Sequence, residues 1–186
     1  MKIDSNSIRV GNIIEYNGKL WVVAKTMHTQ PGKGGAYVQV EMKDIDGKIK
    51  NNVRFRSSEF VEKVHLETYD FQYLYIDGDS IWIMSIESYE QINIPISMVG
   101  EQLPFLIDGL ILAVDFYQGK PVVVRLPDTI IAEIRECEPV VKGQTATSSY
   151  KPAVLDKGVR VMVPQFLNQG DKVVIKTESR EYVERA

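Results

Sequence analysis

The most distinctive residue spacing in the chain is Pro31-Gly32-Lys33-Gly34-Gly35, preceded by Gln30. A lysine set among glycines has no neighbouring side chain to cover it, and Gly32, Gly34 and Gly35 can adopt backbone angles closed to other residues. A long ammonium presented in this way can reach into a narrow electronegative cavity, such as folded RNA offers. An ordinary glycine-rich hairpin with a solvated lysine fits the same residues, and on physics alone it is the more frequent outcome. Two phosphate-cradling readings fail on spacing. A Walker loop needs glycine at Met27 and serine or threonine at Gly34. A dinucleotide fingerprint needs a third glycine where Tyr37 stands, with a helix to follow it.

Other reactive residues are scattered. His28, His65 and the single cysteine, Cys137, show no metal-ligand spacing. No Gly-x-Ser-x-Gly elbow is present, and the carboxylates of the middle third are spread along strands and turns in the manner of solvated faces. No catalytic constellation emerges, which points away from an enzyme. Trp21 and Trp82 fall in hairpin strands and read as packing residues rather than stacking platforms.

The elements that must position Lys33 are strands. Ile13–Tyr16 and Leu20–Val23 flank Asn17-Gly18, a strong hairpin signal, since both central residues need positive φ. Alternation over 36–43 and 48–55 continues the pattern around Asp46-Gly47, so the Lys33 loop joins two strands. After residue 65, hairpins are expected at Asp77-Gly78 and at Gln118-Gly119, and further strands at 158–163, 172–176 and 181–183. The best helical candidate, 97–106, is interrupted by Gly100 and Pro104 and would be short. Many short strands spaced by turns imply small β-barrels, which hide sheet edges. Three barrels of about 60 residues each fit the length better than one, with boundaries at 1–64, 65–127 and 128–186.

The charge is divided accordingly. The net charge is −3, but residues 1–64 carry eleven Lys/Arg against seven Asp/Glu, residues 65–127 two against nine, and residues 128–186 nine against nine. Screening makes phosphate attraction local, so the basic first third can face RNA while the acidic middle stays away from it; on charge counts alone, a set of merely solvated faces is the more frequent outcome. A lone cysteine, no secretion signal and no apolar run long enough to cross a bilayer lead to the expectation of a soluble, cytoplasmic protein.

Pro31-Gly32-Lys33-Gly34, followed by an aromatic-containing alternating strand, resembles the signature of the elongation factor P family. Tyr73-Leu74-Tyr75 with Asp77-Gly78, and Tyr89-Glu90-Gln91, resemble its middle domain. Lys151–Leu155, Val161–Phe166, Gly170-Asp171 and Glu181-Tyr182-Val183 resemble its third. The resemblance runs in order along essentially the whole chain. It departs from the family's usual pattern at Gln30, at Gln144 and at Asp156-Lys157 ahead of Gly158.

The resemblance implies an SH3-like first domain and two OB-fold domains arranged as an L-shaped, tRNA-like monomer. It implies a factor that binds both ribosomal subunits between the peptidyl and exit sites and relieves stalling at consecutive prolines. In that reading Lys33 approaches the end of the peptidyl-tRNA, with Pro31, Gly32, Gly34 and Gly35 shaping its loop. Lys33 is also the candidate site for covalent modification by a dedicated enzyme, and no separate cofactor or metal is called for. Gly143, Gln144, Thr145 and Ala146 match a loop that approaches exit-site messenger RNA, while Tyr182 and Arg185 match positions near the small subunit and tRNA. The elongation factor P-like paralogue, which generally lacks the Pro-Gly-Lys-Gly tip, and a general OB-fold RNA-binding protein are the competing readings.

Overall fold

A computed structural model describes residues 1–139 and 149–186. Strand exceeds helix by 58% to 8%, as the alternating β-branched runs require. The first sheet contains β1 (Lys2–Asp4), β2 (Ile13–Tyr16), β3 (Lys19–Thr29), β4 (Tyr37–Asp44), β5 (Lys50–Arg56) and β6 (Phe60–Val64), in the spatial order β1-β6-β2-β3-β4-β5. The second contains β7 (Glu67–Asp77), β8 (Ser80–Ser85), β9 (Gln91–Pro95), β10 (Ile111–Tyr117) and β11 (Lys120–Arg125), ordered β11-β10-β7-β8-β9. The third contains β12 (Thr129–Cys137), β13 (Tyr150–Leu155), β14 (Arg160–Pro164), β15 (Lys172–Lys176) and β16 (Tyr182–Arg185), ordered β14-β13-β12-β15-β16. Each sheet curls into a partial barrel around its own apolar side.

Turn chemistry sets the registers. Tyr16 pairs with Lys19, leaving Asn17 (φ 51°) and Gly18 (φ 73°) as the two-residue loop with both φ positive. Gln118 (φ 50°) and Gly119 (φ 76°) repeat that geometry between β10 and β11. The middle hairpin differs from the sequence reading by one residue. Asp77 pairs with Ser80, so the loop is Gly78-Asp79 rather than Asp77-Gly78. Upstream of the turn, a bulge between Tyr73 and Tyr75 inserts one extra residue into β7 and shifts its register against β8 by one.

The helical candidate at 97–106 appears as two 3₁₀ segments, Ile96–Met98 and Gly100–Phe105, broken where Gly100 takes φ +60°. Short 3₁₀ turns suit a stretch carrying an internal proline, whose missing N–H forbids a longer ladder.

The chain forms two compact units, Met1–Thr68 with Asp115–Val123, and Tyr69–Val114 with Val124–Ala186. The first unit is built on a core of Ile8, Ile14, Trp21, Val23, Val38, Val40, Met42, Phe55 and Val61. Trp21 is buried, and its indole N–H donates to the Tyr16 carbonyl at 3.1 Å, so no polar atom is stranded. In the second unit the core of the third sheet takes in Phe105, only 1% exposed, from the 3₁₀ segment that precedes β10.

Candidate functional site

β3 and β4 form the longest hairpin of the first sheet. β3 has eleven residues, which at about 3.3 Å each gives a reach of roughly 36 Å. Pairing runs up to Thr29 opposite Tyr37, leaving residues 30–36 as the loop. Its base is tied by the Ser57 N–H, which donates to the Ala36 carbonyl at 3.0 Å. Beside it the Arg54 guanidinium lies over the Tyr37 ring, 4.2 Å from the centroid. Lys33 is exposed at the tip, and Pro31 is half-buried.

The three glycines of the loop are not equivalent. Only Gly34 has positive φ, at +110°; Gly32 and Gly35 do not, and a Cβ on either would meet open space. The expectation that all three supply special backbone angles therefore narrows to Gly34. Its position near Pro31 Cγ, 3.9 Å from where a Cβ would stand, shows that the loop folds back on its own proline.

A bulge between Val23 and Lys25 sets which side chains accompany the tip. Beyond it Lys25, Met27 and Thr29 stand opposite Glu41, Gln39 and Tyr37, and these in turn stand opposite Asn52, Arg54 and Arg56. Because Val38, Val40, Met42 and Phe55 point into the core, these residues share the outer face, as do Lys43 and Lys50. That face brings together Lys25, Lys43, Lys50, Arg54 and Arg56, with Glu41 as the one acid among these positions. The positive balance read from composition is thus concentrated on the sheet that carries Lys33.

Gly143, Gln144, Thr145 and Ala146 lie outside the described residues. Tyr182 and Arg185 are brought to one side of β16. Tyr182 stands opposite Ile175 and Arg185 opposite Val173, because the register shifts by one residue between them. Arg185 makes an ion pair with Asp171 at 3.2 Å. Tyr182 lines an open cleft of about 840 Å³ together with Tyr150, Pro152, Arg160, Met162 and Arg180. Burial first, and then the neighbouring Tyr150 phenol, raise the Tyr182 phenol above its ordinary pKa, keeping it a neutral donor.

Five of these cleft residues, Tyr150, Pro152, Arg160, Met162 and Arg180, escaped the sequence reading as site residues. Tyr150 and Pro152 alternate with buried Lys151 and Ala153, so the period-two pattern marks them as outward-facing; placing Met162 beside them needs the β13–β14 register, Pro152 opposite Met162. Lys151 itself, 2% exposed, donates its ammonium to the Glu138 carbonyl, which no motif in the sequence announces. Among the described residues no group of three or more histidines, cysteines or acids could hold a metal ion.

Family models match three consecutive segments of the chain. The elongation factor P KOW-like domain covers residues 4–61, the elongation factor P OB domain 66–124, and the elongation factor P C-terminal domain 130–185. The chain belongs to the elongation factor P family. It is a translation elongation factor of all-β build, with KOW-like and OB domains. Elongation factor P of Rickettsia massiliae is 54% identical over 187 residues and that of Zymomonas mobilis 56% over 187, each covering the full length of both chains. Among solved structures, translation initiation factor 5A from Methanococcus jannaschii matches with a TM-score of 0.58 at 25% identity, over 68% of this chain and 95% of its own. A translation initiation factor 5A family protein from Naegleria fowleri, at 16% identity and a TM-score of 0.54, shares the fold over 68% of this chain and 98% of its own. No described helix is long and apolar enough to cross a membrane.

Proposed function

We propose that this elongation factor P family member binds the ribosome between the peptidyl and exit sites. There it stimulates peptide-bond formation when consecutive prolines stall it. The observation that carries the reading is the exposed Lys33 at the end of an eleven-residue strand, on a sheet whose outer face gathers five further cations. The basic face lies along tRNA phosphates, and the lysine extends past it toward the aminoacylated end. Proline is a conformationally restricted reactant, so holding the peptidyl-tRNA end in place lowers the entropic part of the barrier. The ribosome performs the chemistry. Lys33 positions, and a covalent extension of its ammonium would lengthen its reach without changing that role. The Tyr182 cleft, with Tyr150 and Arg160, faces the small-subunit side of the same complex, and the loop containing Gln144 approaches exit-site messenger RNA.

A reporter with three consecutive prolines, translated in a reconstituted system, tests this. Lys33→Ala should fold, sediment with ribosomes and fail to relieve the stall; full relief by the alanine variant would overturn the role of Lys33. The intact mass of protein from its native host decides whether Lys33 is modified, and an unmodified mass would remove the extended-reach part of the mechanism.

A further inference from the structure

The outer face of the middle sheet is used by none of the roles above. Ile81 and Ile83 are fully buried, so Ser80, Trp82 and Met84 occupy the opposite face of β8. On β7 the bulge between Tyr73 and Tyr75 lets Tyr73 turn into the core, 7% exposed, while Tyr75 turns out, 49% exposed. Tyr75 then stands opposite Trp82, and their rings stack at 6.2 Å with an interplanar angle of 24°. Asp77, opposite Ser80, continues the same face at one end of β7; Asp70, two residues before outward-facing Gln72, continues it at the other. Both carboxylates are exposed.

The face therefore offers a stacked pair of aromatic rings between two acids, on a segment with nine Asp/Glu and only two Lys/Arg. Phosphate is repelled by that balance, which argues against nucleic acid as the occupant. A guanidinium meets every requirement. It is planar and cationic, it stacks on an indole or phenol face, and its fork of N–H donors matches a carboxylate. Asp70 and Asp77 lie about 20 Å apart along an extended strand, so an occupant engaging both needs cations spaced over some six residues of extended chain.

We propose that this face docks an arginine-rich segment of a ribosomal protein, with one guanidinium stacked on the Tyr75–Trp82 pair and held by Asp77. The proposal rests on the ribosomal reading above and adds the partner's chemistry. Replacing Tyr75 with the photo-crosslinker p-benzoylphenylalanine and irradiating the factor bound to 70S ribosomes tests it. The expected adduct is destroyed by protease, resists ribonuclease and maps by mass spectrometry to an arginine-rich peptide. Charge reversal at both ends, Asp70→Lys with Asp77→Lys, should lower its yield by about tenfold, while the factor still sediments with ribosomes. An adduct to RNA, no adduct from ribosome-bound factor, or a yield indifferent to the charge reversal would overturn the proposal and leave the ribosomal reading standing. A factor that does not sediment with ribosomes at all would overturn that reading, and the docking proposal with it.

Discussion

The Arg180 guanidinium donates to the Glu101 carbonyl at 2.6 Å, joining the turn between β15 and β16 to the 3₁₀ segment Gly100–Phe105. The same guanidinium lies over the Phe105 ring, 5.5 Å from its centroid. Arg180 holds positive φ, 58°, a conformation that costs a non-glycine residue about 1–2 kcal/mol. The strained backbone is thus kept in place by a side chain that ties two elements together. Arg180→Ala should lower the stability of the Tyr69–Val114 and Val124–Ala186 unit by about 1–2 kcal/mol, the worth of a half-exposed charged hydrogen bond. Arg180→Gly, which removes the strain as well, should be about 1 kcal/mol more stable than the alanine variant. Urea midpoints of the three proteins decide it. Equal alanine and glycine midpoints would show that the backbone stores no strain there.

Phe105 is the anchor beneath that tie, seated among Ile130, Ile134, Leu155, Val159 and Val161. Truncating a fully buried phenylalanine removes its transfer free energy and leaves a cavity. Phe105→Ala should therefore destabilise by about 3–5 kcal/mol in the same urea assay. Phe105→Leu, which retains most of the volume, should cost far less. A loss below about 1 kcal/mol for the alanine variant would mean that the site collapses onto itself.

Phe105 also marks where the sequence stops being readable. The strands around it announce themselves by alternation and by turn residues, because a half-buried strand repeats every two residues and a hairpin loop needs positive φ. Phe105 lies in a six-residue 3₁₀ segment, too short to show any period, and nothing in its neighbourhood says that it fills the core of β12–β15. Bulges are equally silent. The extra residue in β7 decided that Tyr75 stands opposite Trp82, and the one in β3 decided that Lys25 and Met27 face outward with Arg54. The tip itself was legible because glycine and proline chemistry is local. The cleft around Tyr182 was legible only in part, since Tyr150 and Met162 join it through cross-strand register that a single strand does not record.

The glycines of the tip should respond differently to the same substitution. Gly34 has φ +110°, which alanine adopts only with strain, and its backbone folds toward Pro31. Gly34→Ala should therefore re-aim Lys33 and lower relief of the proline stall severalfold, with a melting temperature close to that of the parent, because an exposed loop contributes little to the core. Gly35→Ala, at a negative φ with open space around the added Cβ, should retain most of the activity. Equal loss from both variants would show that flexibility of the whole loop, rather than the angle at Gly34, is what positions the lysine.

Tyr182 offers a pH test of the cleft geometry. Its phenol is raised by burial and secondarily by the Tyr150 phenol, so the folded protein keeps a proton that the unfolded chain releases near pH 10. Between that pH and the higher folded value the native state binds more protons than the unfolded state, so stability falls as pH rises; below it Tyr182 contributes no slope. Tyr182→Phe removes the titrating group while keeping the ring. The variant's urea midpoint should accordingly decline less steeply than the parent's from pH 9 to pH 11, with the slope contributed by the similarly raised Tyr73 and Tyr117 remaining in both proteins. Identical slopes would place the Tyr182 hydroxyl in free solvent and separate it from Tyr150.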